Sequence, residues 1–436
     1  MNARSSFIIA AALVLVAFAS YGQTASPSLT LHDAIALVLE RNPALRESLH
    51  AIEGSKARSA LSRSGYLPNA SVDASYVYLA PLSIFTLPGG SIKVFPDNNW
   101  DGHIGIQQTL YDFSKTASQV SAADARTTLA EDSRATLARD LSFRTAETFY
   151  GILFLRRSVA VQDEQVKTLQ EHLEITKRKT AAGTATQLDE LTTQVRVAEA
   201  QNVRIRLQNN LQNAEIALRR LGALEPGVVL ELRGEFTAPE VRVEEDSLLR
   251  IAARTRIEAK TAADAVTSAQ AQQGAAHASD APSIGASVVY GFKNGYIPNL
   301  DVMRGNLVAS VDFHLPVFDG NRTNAMEEEA LSTLRAAETH QEDVALAIQA
   351  DVEGAIAELR AARERVVVSE TNIQQADLAV KNARLRYDAG TLANLDLLDA
   401  ETALAEARLT NLQALYDTIL GTLRLQRATG SSAGGE

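Results

Sequence analysis

The chain of 436 residues carries a formal net charge of −11 and has no cysteine. The acidic balance argues against nucleic acid as a partner, and the missing cysteine excludes both disulfides and a lipid anchor on a cysteine. Ala, Leu, Gln, Arg and Glu are abundant, and no proline falls between Pro96 and Pro226 or after Pro316. A proline costs roughly 3 kcal/mol inside a helix, so those gaps permit very long helices.

Residues 1–22 read as a signal peptide. Arg4 precedes an apolar run from Phe7 to Ala19 that is too short for a membrane helix, and small residues follow it. No later stretch is apolar enough for a transmembrane helix, so any membrane crossing must use β-strands. The rest of the chain is a duplication. Ala182-Gly183-Thr184 through Leu191 matches Ala389-Gly390-Thr391 through Leu398 at an offset of 207 (390 − 183), and Tyr111-Asp112 matches Phe318-Asp319 at the same offset. Upstream the offset is 214 (282 − 68), which aligns Pro68 with Pro282 and lays Asp33–Leu37 over Ser247–Ile251. The seven-residue difference (214 − 207) falls in a longer loop between the first two strands.

The first repeat, residues 23–221, opens with a helix. Strands at about 68–80 and 102–112 and long helices at about 114–181 and 187–221 follow. A linker, 222–245, leads to the second repeat, 246–429. Its strands lie at about 282–292 and 306–317, its long helices at about 321–388 and 394–428, and residues 430–436 form a tail.

The strands alternate with period two. Val72, Ala74 and Tyr76 oppose Ser71 and Asp73, and Val311 and Phe313 oppose Asp312 and His314. Each is about ten residues long, the length of a tilted strand crossing a bilayer, and aromatics including Trp100 cluster beside them. A soluble sandwich would alternate equally well. At 1.5 Å per residue, each of the longest helices spans roughly 100 Å. The last helix carries two seams of 3-4 spacing, one through Leu395, Leu398 and Leu409 and one through Leu397, Leu404 and Leu425. The seams lie on opposite sides, which a helix needs when it has a neighbour on each flank.

Four strands cannot close a membrane barrel, so the chain must associate. A dimer gives eight strands and a filled interior; a trimer gives twelve and a lumen. The repeated order of elements resembles that of the TolC-like outer-membrane efflux proteins. Specific segments add to the likeness: Leu-Pro-Asn-Ala-Ser at the first strand, Gln-Thr-Leu-Tyr-Asp and Leu-Pro-Val-Phe-Asp at the strand-to-helix junctions, and Tyr387-x-x-Gly390-Thr391 through Asp399-Ala400. The resemblance implies a mainly α fold with a transmembrane β part: a homotrimer with a 12-stranded β-barrel above a helical barrel that closes at its periplasmic end. It also implies an outer-membrane location and partners in a periplasmic adaptor and an inner-membrane pump or ABC exporter, with small molecules or proteins as cargo.

Asp396 and Asp399 match acidic positions at the closed entrance of relatives, where rings of carboxylates would set selectivity. Asp189 is the equivalent position in the first repeat, and its spacing from Thr186 suits a helix cap. Tyr387 matches a tyrosine that helps hold the entrance closed. Leu392 departs from relatives that carry a locking arginine there, leaving Arg384 or Arg386 as substitutes. Gly183, Thr184, Gly390 and Thr391 form the tips expected to touch the adaptor, and Asp73, Asp312 and His314 are expected to face the lumen. The sequence has no nucleophile elbow, phosphate loop, dinucleotide fingerprint or metal-ligand spacing, so no enzyme activity, metal or cofactor is expected. A periplasmic adaptor or a structural coiled-coil protein of the envelope is the alternative, but neither needs two membrane-length strand pairs.

Overall fold

A computed structural model describes residues 29–237 and 244–431. The segment expected to be a signal peptide and most of the expected tail lie outside the described residues, as do residues 238–243 of the expected linker. The duplication is carried into the backbone without a slip. Helices α1 (Leu31–Arg41) and α2 (Pro43–Arg63) recur 214 residues later as α5 (Glu245–Thr255) and α6 (Ile257–His277). Helices α3 (Lys115–Ala181) and α4 (Gln187–Leu221) recur 207 residues later as α7 (Arg322–Asp388) and α8 (Asn394–Ala428).

The opening helix of each repeat is broken in two, where a single helix was expected. In the first repeat Pro43 supplies the reason: it clashes with a helical preceding residue, and Asn42 is extended. Asn42 uses the break, accepting from Ala44 N at 2.9 Å and donating to Leu221 O at the end of α4 at 2.9 Å. Arg256 takes the same extended backbone without a proline. Its guanidinium, 8% exposed, is held by Glu258 at 3.0 Å and Asp351 at 2.8 Å. Thr255 beside it donates to Thr429 O at 2.7 Å, joining this break to the end of α8. Each 67-residue helix is therefore flanked by a shorter helix pair, α2 with α4 and α6 with α8.

Strands β1 (Asn69–Tyr78), β4 (Asn98–Tyr111), β5 (Ser283–Lys293) and β6 (Arg304–His314) form one antiparallel sheet in the order β1-β4-β5-β6. The second strand begins four residues before the expected 102, because Asn98–Asp101 find partners in Ser75–Tyr78. The fourth runs from 304 to 314, not from 306 to 317. Its last partner is Ser283, and Pro282 beyond it has no N–H to continue the ladder. A small hairpin, β2 (Ile84–Leu87) with β3 (Gly90–Lys93), fills the longer loop of the first repeat, which the sequence left unstructured.

The core is a series of seams between helices. Phe149, Ile152, Leu218, Leu230 and Leu232 form one buried cluster at mid-length. Phe143, Phe236, Ile419 and Leu423 form another beside it. Linker residues Leu230, Leu232 and Phe236 thus pack inside, and Leu232 bridges to Leu29. Both faces of α8 are buried: Leu398 and Ile419 come from one seam, Leu397, Ala414 and Leu425 from the other. Gly421 allows a close approach of α8 to α7, since a Cβ there would lie 3.3 Å from Leu359 Cα.

Candidate functional site

The sheet has two unlike faces. Because directly opposed residues project to the same side, the register defines rows across all four strands. One face carries Val72, Ile104, Tyr290 and Leu307 in a row, with Ile106 and Val288 in the next. These side chains are exposed, Val72 at 78% and Leu307 at 66%. The other face carries Asp73, His103, Gly291 and Asn306 in a row. His103 Nδ1 lies 3.0 Å from Asp101, and Ser71 donates to Asp73 at 2.8 Å. Further along, Ser287 pairs with Ser310 at 2.8 Å, and Ser310 donates to Asp312 at 2.9 Å. Asp73, Asp312 and His314 therefore share one polar face. Gly291 is required there, because a Cβ would lie 2.3 Å from Gly102 O.

Aromatics bracket the apolar face. Tyr76 packs on Trp100 at 4.5 Å at one end, and Tyr111 on Phe113 at 4.6 Å at the other. The eleven residue steps from Trp100 to Tyr111 (111 − 100) span ~36 Å along the strand, or ~25 Å of depth at a 45° tilt, the height of a membrane band. Strands β1 and β6 have free edges among the described residues. Bare edges are untenable in lipid, so this sheet is one segment of a larger barrel. Among the described residues no helix is long and apolar enough to cross a membrane.

The strand-to-helix junctions are rigid turns. Phe113 and Ser114, and their counterparts Gly320 and Asn321, all adopt positive φ. Asp319 accepts from Thr323 N at 2.8 Å and from the Thr323 hydroxyl at 2.6 Å, and these bonds hold its carboxyl below the usual range. Asp112 receives the same bonds from Thr116. Farther down α3, burial pushes the Asp132 carboxyl up although Lys260 is bonded to one oxygen; the other oxygen has no hydrogen-bond partner among the described residues.

At the far end of the helices, Gly183 (φ +74°) and Gly390 (φ +71°) close matching turns. Thr184 N donates to Lys179 O at 2.9 Å and Thr391 N to Arg386 O at 2.8 Å, satisfying the last carbonyls of α3 and α7. Asp189 is committed to a capping box: its carboxylate accepts from Thr186 N at 2.9 Å and from the Thr186 hydroxyl at 2.7 Å. Asp399 pairs with Arg196 of α4 at 2.7 Å. Asp396 is exposed in the first turn of α8 with no ion pair among the described residues. Tyr387 lies 5.3 Å from the His172 ring, with Lys179 over its face at 4.0 Å. Arg384 binds the buried Glu401 at 2.7 Å, whose other oxygen has no hydrogen-bond partner among the described residues. Leu392 is half-buried.

Sequence reasoning missed Asn394, the polar hub of this end. Its amide Nδ2 donates to Asp189 O at 3.2 Å and to Thr193 Oγ1 at 3.1 Å. Its Oδ1 lies 2.7 Å from His172 Nε2 and can only accept, so His172 carries its proton on Nε2. One side chain thereby ties α8 to α3 and α4. A signal was present. Ala393 occupies the cap of α8 and makes no side-chain bond, while the amide follows one residue too late to serve as cap.

A two-faced antiparallel sheet with aromatic rims, set on helices roughly 100 Å long, is the architecture of an outer-membrane channel continued by a helical tunnel. The described fold matches the Campylobacter jejuni CmeC outer membrane channel with a TM-score of 0.80 and 15% identity, covering 92% of this chain and 85% of that one. In sequence the chain is 22% identical to the outer membrane efflux protein BepC of Brucella suis over 97% of this chain and 90% of BepC. It is 23% identical to the alkaline protease secretion protein AprF of Pseudomonas aeruginosa, over 92% of this chain and 85% of AprF. Residues 34–223 and 249–431 match the outer membrane efflux protein family, and the chain belongs to that family. It is an export channel of the outer membrane.

Proposed function

We propose that three copies form the working channel, that periplasmic adaptors grip its helical tips, and that an inner-membrane pump or exporter drives cargo through it. The observation that carries the reading is the sheet: an apolar face, a polar face and two unpaired edges. Three four-stranded sheets joined β6 to β1 would give twelve strands and remove every edge. The apolar face then meets lipid, and Asp73, Asp312 and His314 line a wetted lumen. A soluble coiled coil would leave that apolar face in water, which disfavours the structural alternative.

The flanks of the helical layer support the same assembly. Helix α4 exposes Leu188, Val195 and Ile205 on one outer edge, and α7 exposes Val368, Leu378 and Leu385 on the other. Closing the ring would bury both. At the tip, Asp396 and Asp399 would place two carboxylate rings at the entrance, and Tyr387 packs behind them. Asp189 contributes through its cap, and Gly183, Thr184, Gly390 and Thr391 present the turns to the adaptor. The relatives' names span efflux and protease secretion, so the cargo follows from the pump that this channel serves. The signal peptide delivers the chain to the periplasm.

The test is single-channel conductance of the detergent-extracted protein in planar bilayers, with Asp396→Ala/Asp399→Ala as the comparison. Discrete openings whose cation preference or divalent block weakens in the variant support both pore and acidic entrance. Unchanged openings keep the pore and remove the entrance assignment. A monodisperse, detergent-independent monomer refutes the channel assembly.

A further inference from the structure

We infer that the lumen carries a basic collar, at the level where strands give way to helices, that binds multivalent oxyanions of passing solutes. The inference rests on the channel reading above. A cavity of about 650 Å³ lies at this level, within the usual size of ligand sites, and all four upper helices line it: α2, the start of α3, the end of α6 and the start of α7. These helices stand side by side in that order. A single row of helices can enclose a cavity only on its concave side. In a closed tunnel the concave side is the lumen.

Arg58, Lys115, Arg126 and Arg322 line this cavity, with Glu329 as the one carboxylate, leaving +3 per protomer (4 − 1). Lys115 donates to Ser279 O at 3.0 Å and Arg126 to Gln272 Oε1 at 3.3 Å, neutral acceptors that leave both charges uncompensated. Neither the Arg58 nor the Arg322 guanidinium has an ion pair or hydrogen bond among the described residues. The contrast along α2 is informative. Lys56 and Arg63, which do not line the cavity, are paired with Glu131 at 3.1 Å and Asp124 at 2.8 Å.

Helix stability does not explain these cations. Lys115 and Arg322 are the first residues of α3 and α7, where the helix dipole disfavours positive charge. Asp112 and Asp319, three residues before Lys115 and Arg322, are occupied with capping Thr116 and Thr323. Unpaired guanidinium forks suit bidentate binding of phosphate-type or carboxylate oxygens. A lumen-facing groove meets soluble solutes and not lipid headgroups.

The experiment is calorimetric titration of the full-length, detergent-solubilised protein with tripolyphosphate, followed by the same anion as a blocker in planar bilayers. Saturable binding should weaken at least about tenfold in Arg58→Gln/Arg322→Gln and less than about twofold in Lys56→Gln/Arg63→Gln. The Arg58→Lys/Arg322→Lys variant, which keeps the charge but loses the bidentate fork, should bind with an affinity between wild type and the Arg58→Gln/Arg322→Gln variant, and it reports on folding. Equal losses in both glutamine variants, or no binding by wild type, overturn the collar. Binding of phosphatidylglycerol micelles without tripolyphosphate binding also overturns it, because the groove would then face the membrane. A protein that conducts but does not bind loses the collar and keeps the channel; one that binds but never conducts keeps the site and loses the channel.

Discussion

Replacing Asn394 by alanine tests whether the tip is held shut by the hub that joins α8 to α3 and α4. Asn394 is 5% exposed, and its side chain makes three hydrogen bonds. Truncation does not orphan all its partners equally. Thr193 Oγ1 still donates to Asp189 O at 2.7 Å, so those two groups keep each other. His172, 6% exposed, loses the acceptor of its Nε2 proton, the only one among the described residues. One buried donor left without a partner costs about 1–3 kcal/mol. If the cost falls on the closed arrangement, the ratio of open to closed tips rises about 5- to 150-fold. Single-channel open probability and amide exchange in the first turns of α4 and α8 read this directly. The double variant with His172→Ala should cost less than the sum of the single variants, since the orphan is gone. Wild-type opening and exchange in Asn394→Ala would refute the reasoning. So would costs that add to within about 0.5 kcal/mol.

Other positions separate local from tertiary effects. Ala223 ends α4 at φ +49° where its counterpart Gly430 ends α8 at φ +77°. Ala223→Gly should therefore stabilise by about 0.5–1 kcal/mol in chemical denaturation. Gly430→Ala should destabilise by about 2–4 kcal/mol, because its Cβ would lie 2.6 Å from Thr255 Oγ1; a gain there would undo the comparison. Gly291→Ala should block folding into detergent, its Cβ meeting Gly102 O at 2.3 Å, and a normally extracted, heat-stable protein would contradict the register. The Asp319 carboxyl is held below its ordinary value by Thr323. A depressed acid stabilises above its unfolded value and loses that contribution as pH falls through the folded one. Asp319→Asn should thus lower the melting temperature at pH 7 by more than it does in acid, with the difference shrinking as pH falls below the ordinary carboxylate range, and an equal loss throughout would remove the cap from the account.

The sequence by itself determined the duplication, the type and order of the main elements, and both seams of α8, because each follows from spacing along a single chain. It also marked Thr186 and Asp189 as a capping pair, since a cap is an interaction over three residues. It did not reveal the break at Arg256, where no proline interrupts the helix and the extended backbone is held by Asp351, 95 residues away. Asn394 was invisible as a hub for the same reason: its partner His172 is 222 residues distant. The basic cavity was equally hidden, because Arg58 and Arg322 meet one space through the side-by-side order of four helices. Local geometry is written in neighbouring residues. Which unpaired charges and buried amides share a site is decided only when the two repeats pack against each other.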